Sequence, residues 1–110
     1  MLYEKVAQIS ELKSGEKKKV SLNQKDILLV NIDDVIYAVD NKCPHMGASL
    51  VEGTLNGSQI ICPKHGSAFD VKTGKVVQSG KILFINVNPK NLNVYQTKIE
   101  NDDILPYPVP

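Results

Sequence analysis

With 13 basic against 12 acidic side chains in 110 residues, 42% hydrophobic and 23% charged, the chain has the composition of an ordinary globular protein. A formal net charge of +1 excludes the concentrated positive field that phosphate binding needs, so no nucleic acid partner is expected. The length is one domain's worth, and a single domain over residues 1–110 is expected, with no space for a separate catalytic domain.

In chain order, Met1-Leu2-Tyr3-Glu4-Lys5-Val6 places charges where a signal peptide needs an apolar run of about 7–15 residues. No later stretch approaches the ~20 apolar residues of a membrane span, so a cytoplasmic protein without a membrane partner is expected. Gln8-Ile9-Ser10-Glu11-Leu12-Lys13 has room for about one helical turn, stopped by Ser14-Gly15. Lys17 to Leu22 ends in strand alternation, with Lys17-Lys18-Lys19 read as a solvated face. Asp26 to Ile32 is an aliphatic run of buried-strand type. Val35 to Val39 follows after only Asp33-Asp34, which predicts a tight hairpin without the preferred glycine. Asn56-Gly57 is a stronger turn signal, between strands expected at Leu50-Val51-Glu52 and at Gln59 to Cys62. Thr73-Gly74 turns the chain after Ala68-Phe69-Asp70-Val71, and Leu92 to Ile99 reads as a late strand that turns at Glu100 to Asp103 into a short Ile104-Leu105 segment. The tail Pro106-Tyr107-Pro108-Val109-Pro110 has no amide hydrogen at its prolines and is expected to be extended outside the ladders. Many short strands with turn residues between them predict an all-β fold, a small antiparallel sandwich or barrel.

Two short blocks, Cys43-Pro44-His45 and Cys62-Pro63-Lys64-His65, hold every cysteine and every histidine in the chain. Each offers its ligands from a turn: Pro44 and Pro63 follow the cysteines, Gly66 follows His65, and Gly47 lies just beyond His45. Proline restricts φ and glycine permits positive φ, so both blocks suit sharply bent rigid loops. Two thiolates with two imidazoles fit a [2Fe–2S] centre in which imidazoles replace thiolates on one iron. They also fit a structural zinc site. Zinc sets usually pair like with like, whereas each pair here is mixed, an awkward chelate for one tetrahedral ion and a natural one across two irons. With both thiols assigned to the metal, no disulfide is expected, in keeping with a reducing compartment.

The runs Asn41-Lys42-Cys43-Pro44-His45-Met46-Gly47-Ala48-Ser49-Leu50, Glu52-Gly53, Ile61-Cys62-Pro63-Lys64-His65-Gly66-Ser67-Ala68-Phe69-Asp70 and Thr73-Gly74 resemble Rieske ferredoxins. The resemblance covers about residues 17 to 76, including the Tyr37-Ala38-Val39 strand, and is weaker near Leu92 to Leu105. It implies a cluster-binding subdomain made of loops about 41–50 and 61–70, holding one [2Fe–2S] cluster. Residue by residue, it implies Cys43 and Cys62 on the inner iron, and His45 and His65 on the outer iron, open to solvent. Family members in bc complexes carry an added cysteine in each loop; Ala48 and Lys64 stand there instead. Ser67 is kept as a hydrogen-bond donor toward the cluster, while Phe69 replaces a tyrosine donor. Fewer donors place the expected potential in the lower part of the roughly −150 to +300 mV range of such centres. The family's third loop falls at Gln78-Ser79-Gly80 or Asn88-Pro89, with Ile82 to Val87 resembling an insertion.

No glycine-rich phosphate loop or catalytic Ser/His/Asp set accompanies the site, so no organic substrate and no enzyme activity are expected. The expectation is a one-electron carrier, the ferredoxin component of an oxidoreductase system, passing electrons from a reductase to an acceptor such as a Rieske-type oxygenase. The alternatives are a structural zinc-binding assembly module and a cluster-based redox sensor.

Overall fold

The aliphatic run Ile27-Leu28-Leu29-Val30 is buried on both of its faces. Ile27 and Leu29 enter one apolar cluster and Leu28 and Val30 another, because successive strand side chains point to opposite sides. Each of these four buried side chains contributes about 1.5–3 kcal/mol by leaving water. The structure, a computed structural model, describes residues 5–44, 47–64, 66–82, 85–87 and 90–107, with backbone alone for 80–82, 85–87 and 107.

The elements run β1 (Ala7–Gln8), a 3₁₀ turn (Ile9–Glu11), β2 (Lys17–Leu22), β3 (Lys25–Ile32), β4 (Val35–Asp40), a second 3₁₀ turn (Leu50–Glu52), β5 (Thr54–Asn56), β6 (Gln59–Ile61), β7 (Ala68–Asp70), β8 (Val76–Gln78), β9 (Gly80–Ile82), β10 (Ile85–Val87), β11 (Val94–Glu100) and β12 (Asp103–Tyr107). They form a six-stranded sheet in the order β1-β12-β11-β4-β3-β2, a four-stranded sheet β5-β6-β7-β8 and a β9-β10 hairpin. Pairing within all three is antiparallel, so the all-β expectation holds. Among the described residues, no helix is long and apolar enough to cross a membrane.

All six strands of the large sheet send residues into the first cluster, among them Ala7, Leu22, Ile27, Ile36, Tyr95 and Ile104. The sheet therefore curls around this cluster. The second cluster lies between the other face of β3-β4 (Leu28, Val30, Val39) and the small sheet (Ile60, Phe69), and it contains Cys43 and Cys62. Packing against the large sheet thus puts both thiols at the junction of the two sheets.

The Asp33-Asp34 hairpin forms as expected, with both residues at positive φ (52° and 69°), the twist that matches paired strands. Its strain is offset by local bonds: Asp34 N–H donates to Asn31 Oδ1 (2.9 Å) and Asp33 N–H to Ser14 Oγ (3.2 Å). Asn23-Gln24 and Asn101-Asp102 also have both residues at positive φ.

Four local expectations differ from the structure. Leu50-Val51-Glu52 is a 3₁₀ turn, because the Leu50 and Val51 N–H groups are taken by Asn41 rather than by a ladder. Gln8 to Lys13 divides into the end of β1 and a three-residue 3₁₀ turn, since Ala7 and Gln8 pair with Ile104 and Asp103. The late strand starts at Val94, the Leu92 N–H being committed to Gly74 O at 2.7 Å. Pro106 does join a ladder: it lies in β12 opposite Thr97 and is fully buried. Among the described residues, its neighbour β1 pairs with Ile104 and Asp103 and no strand on that side requires an amide hydrogen from Pro106. Pro108 to Pro110 lie outside the described residues. The insertion is the β9-β10 hairpin, which pairs Ile82 with Ile85.

Candidate metal centre

Both cysteine blocks fold into the same closed turn. In the first, Cys43 N–H donates to Ala48 O (2.8 Å) and Gly47 N–H donates to Cys43 O (2.8 Å). In the second, Cys62 N–H donates to Ser67 O (2.7 Å) and Gly66 N–H donates to Cys62 O (3.3 Å). Each ring thus ties its cysteine, through both backbone polar groups, to the residues four and five positions on. The fourth is glycine in both cases, at φ 72° for Gly47 and 79° for Gly66, a left-handed conformation that side chains resist.

The supports differ. Loop 1 leaves the end of β4 and is held by Asn41, which is buried. Asn41 donates N–H to Asp26 O (3.1 Å), accepts Leu50 N–H on its carbonyl (2.7 Å), accepts Val51 N–H on Oδ1 (2.9 Å) and donates Nδ2 to Ser49 Oγ (2.8 Å). A single bridge, Lys42 to Ser49, closes its base. Loop 2 is the connection of a β-hairpin, its base the Ile61–Ala68 pair of β6 and β7. The loops meet at Gly53, where an added Cβ would collide with the Ile61 carbonyl.

Cys43 (1% exposed) and Cys62 (3%) are outside any disulfide and turned inward, in one cluster with Leu50, Ile60 and Phe69. Pro44, Pro63 and Lys64 on the loop crowns are exposed. His45 and His65 lie outside the described residues, as do Asn88 and Pro89, one candidate for the third loop. The other, Gln78-Ser79-Gly80, joins β8 to β9, and Gln78 pairs with Ala68 beside loop 2. Ser67 is buried (1% exposed), yet its hydroxyl has no hydrogen-bond partner among the described residues. A buried hydroxyl without a protein partner is costly, and a sulfur acceptor at the loops would satisfy it. The described residues therefore fit a thiolate-held iron–sulfur group: two buried soft donors, two preformed turns and one uncommitted donor beside them.

At the base of loop 1, Tyr95 Oη donates to Asp40 Oδ1 (2.7 Å), and Lys25 Nζ reaches the same oxygen (3.1 Å) while lying 5.7 Å from the Tyr95 ring centroid. Burial pushes the Tyr95 hydroxyl above its ordinary value, and the Tyr95 hydrogen bond raises the Lys25 ammonium. These groups neighbour a cleft of about 730 Å³ between Gln24–Asp26, Asp40 and loop 1.

Asn41 was visible in the sequence only as part of the Rieske-like run. Its role as the support of loop 1 depends on Asp26, Ser49 and Val51, and an asparagine just after a strand and before a cysteine was the one available signal.

The family model of the Rieske [2Fe-2S] domain matches residues 3–97. The chain is 36% identical over 93 residues to the ferredoxin component of the naphthalene 1,2-dioxygenase/salicylate 5-hydroxylase systems of Ralstonia sp, covering 84% of this chain and 83% of that protein. It is 31% identical over 99 residues to apoptosis-inducing factor 3 of Homo sapiens, which covers 90% of this chain, while the match spans 15% of that protein's length. A chain in the solved complex of reduced oxygenase and oxidized ferredoxin in carbazole 1,9a-dioxygenase matches with a TM-score of 0.82 and 28% identity, over 98% of this chain and 94% of that one.

Proposed function

We propose that this chain, which belongs to the Rieske [2Fe-2S] domain family, is a one-electron carrier of the dioxygenase-ferredoxin kind. The observation that carries this reading is the pair of turns closed by matching hydrogen bonds, each opened by a buried cysteine and both cysteines packed into one cluster. Cys43, His45, Cys62 and His65 would hold a single [2Fe–2S] cluster. When bound, that group supplies reversible one-electron chemistry at a potential above that of an all-thiolate cluster.

The remaining tasks fall to the protein. The closed turns fix the cysteine backbones, which keeps reorganisation on electron uptake small. Leu50, Ile60 and Phe69 keep water from the thiolates. Ser67, buried beside the cysteines, would donate its hydroxyl to sulfur and so favour the reduced state. Two cysteines outside any disulfide suit a reducing compartment, the cytoplasm. A reductase supplies the electron and a Rieske-type terminal oxygenase takes it, as one single-domain component over residues 1–110.

Purified protein should be coloured, with about two irons per chain and, after reduction, an electron paramagnetic resonance signal of the mixed His/Cys type. It should take up one electron per chain in a mediated titration. Colourless protein with one zinc per chain overturns the assignment.

A further inference from the structure

We infer that Lys42 and Lys64 form a basic docking rim that selects redox partners presenting carboxylates around their own electron-transfer site. This rests on the electron-carrier reading and specifies its partner. Lys42 immediately precedes Cys43, and Lys64 lies within the closed turn opened by Cys62. Both are exposed, and neither has an ion-pair partner among the described residues. The Lys42 side chain folds back over loop 1, its Cε 3.0 Å from where a Cβ on Gly47 would stand, so its ammonium is held near the loop crown. Each lysine thus stands beside, or within the turn of, a cysteine that belongs to the same buried cluster.

Asp26 and Asp40 line a cleft with Lys42, and Asp26 accepts the Ser21 hydroxyl (2.8 Å). No Asp or Glu occurs in 41–50 or 61–69. Asp40, at the base of loop 1, is engaged by Lys25 and Tyr95, and Asp70 accepts the Lys72 N–H (2.8 Å) at the far end of β7. Glu52 follows loop 1 in the 3₁₀ turn. The exposed carboxylates of Asp33 and Asp34 occupy the β3-β4 hairpin, at the opposite end of those strands from Lys25 and Asp40, and Asp34 lines a shallow cleft with Asp102. The carboxylates of that far end lie among lysines, Lys13 lining the same cleft and Lys17 standing opposite Val30, whereas the two cysteine loops carry positive charge with no carboxylate of their own. Such an arrangement orients an approaching acidic surface toward the loops and accelerates encounter at low salt.

Voltammetry of the holoprotein on gold tests this, with carboxylate-terminated and amine-terminated monolayers as the charged partner. The carboxylate surface should give the faster electron transfer, decreasing with added salt. Lys42→Gln with Lys64→Gln should lower that rate by roughly tenfold and flatten its salt dependence. Lys17→Gln with Lys19→Gln, an equal charge loss on edge strand β2, should change it by less than about twofold. Equal losses from both double variants, an unchanged rate in the first, or preference for the amine surface overturns the inference while coloured, reducible protein leaves the carrier reading intact. Colourless protein overturns both.

Discussion

Ala48 and Ser67 occupy the same step of two closed turns, each carbonyl accepting the N–H of the cysteine that opens its turn, at 2.8 and 2.7 Å. What surrounds them differs. Loop 1 depends on one residue, since the backbone and side chain of Asn41 supply four of the hydrogen bonds that hold its base. Loop 2 depends on a ladder, with Gln59, Ile60 and Ile61 paired to Asp70, Phe69 and Ala68. A ladder distributes its stability over several backbone bonds that an alanine substitution leaves in place, whereas two of the four Asn41 bonds come from its side chain and are removed together by one mutation.

The largest effect is expected where the loops touch. Gly53→Ala drives a Cβ into the Ile61 carbonyl, a backbone atom that cannot swing aside. Destabilisation by about 3 kcal/mol is expected from urea unfolding, because relief requires separating loop 1 from the strand that leads into loop 2. Asn41→Ala should follow at about 2–3 kcal/mol, since the Val51 N–H loses its acceptor and Ser49 its donor. It should also speed iron release to a chelator. Ser67→Ala, at the matching turn of loop 2, should leave urea stability within about 1 kcal/mol of the parent. Comparable destabilisation by Asn41→Ala and Ser67→Ala would break the contrast between the two supports.

The Ala48/Ser67 difference itself can be sharpened electrochemically. Ser67→Ala should lower the reduction potential of the loaded protein. Ala48→Ser should raise it by a smaller amount, because position 48 is only partly buried and a hydroxyl there can turn to water. An unchanged potential in Ser67→Ala would mean that its hydroxyl does not reach the cluster.

The smallest effect is an alkaline one at the base of loop 1. Tyr95 and Lys25 both have folded-state values above their ordinary 10.0 and 10.5, so the unfolded chain loses these protons first. The native state then binds more protons, and stability must fall as pH rises past about 10. Tyr95→Phe should reduce that slope in urea unfolding between neutral and strongly alkaline pH. An equal slope would place the alkaline loss elsewhere.

Much of this was legible in the chain. The Ile27 to Val30 run, the alternation of Lys17 to Leu22 and the Asp33-Asp34 spacing declared three strands and a hairpin, because those signals are local and each side chain carries its own burial preference. The two Cys/His blocks with their glycines declared bent turns that carry metal-donor side chains, since donor chemistry and permitted φ are properties of residue type. Tertiary structure decided what depends on partners distant in sequence. The second cluster exists because β3 is sandwiched between sheets, Leu50 to Glu52 turns because Asn41 takes its amides, and Pro106 enters a ladder because β1 stops short of it. Each of these is settled by where a remote hydrogen-bonding group lies, and no local pattern of residue types encodes that position.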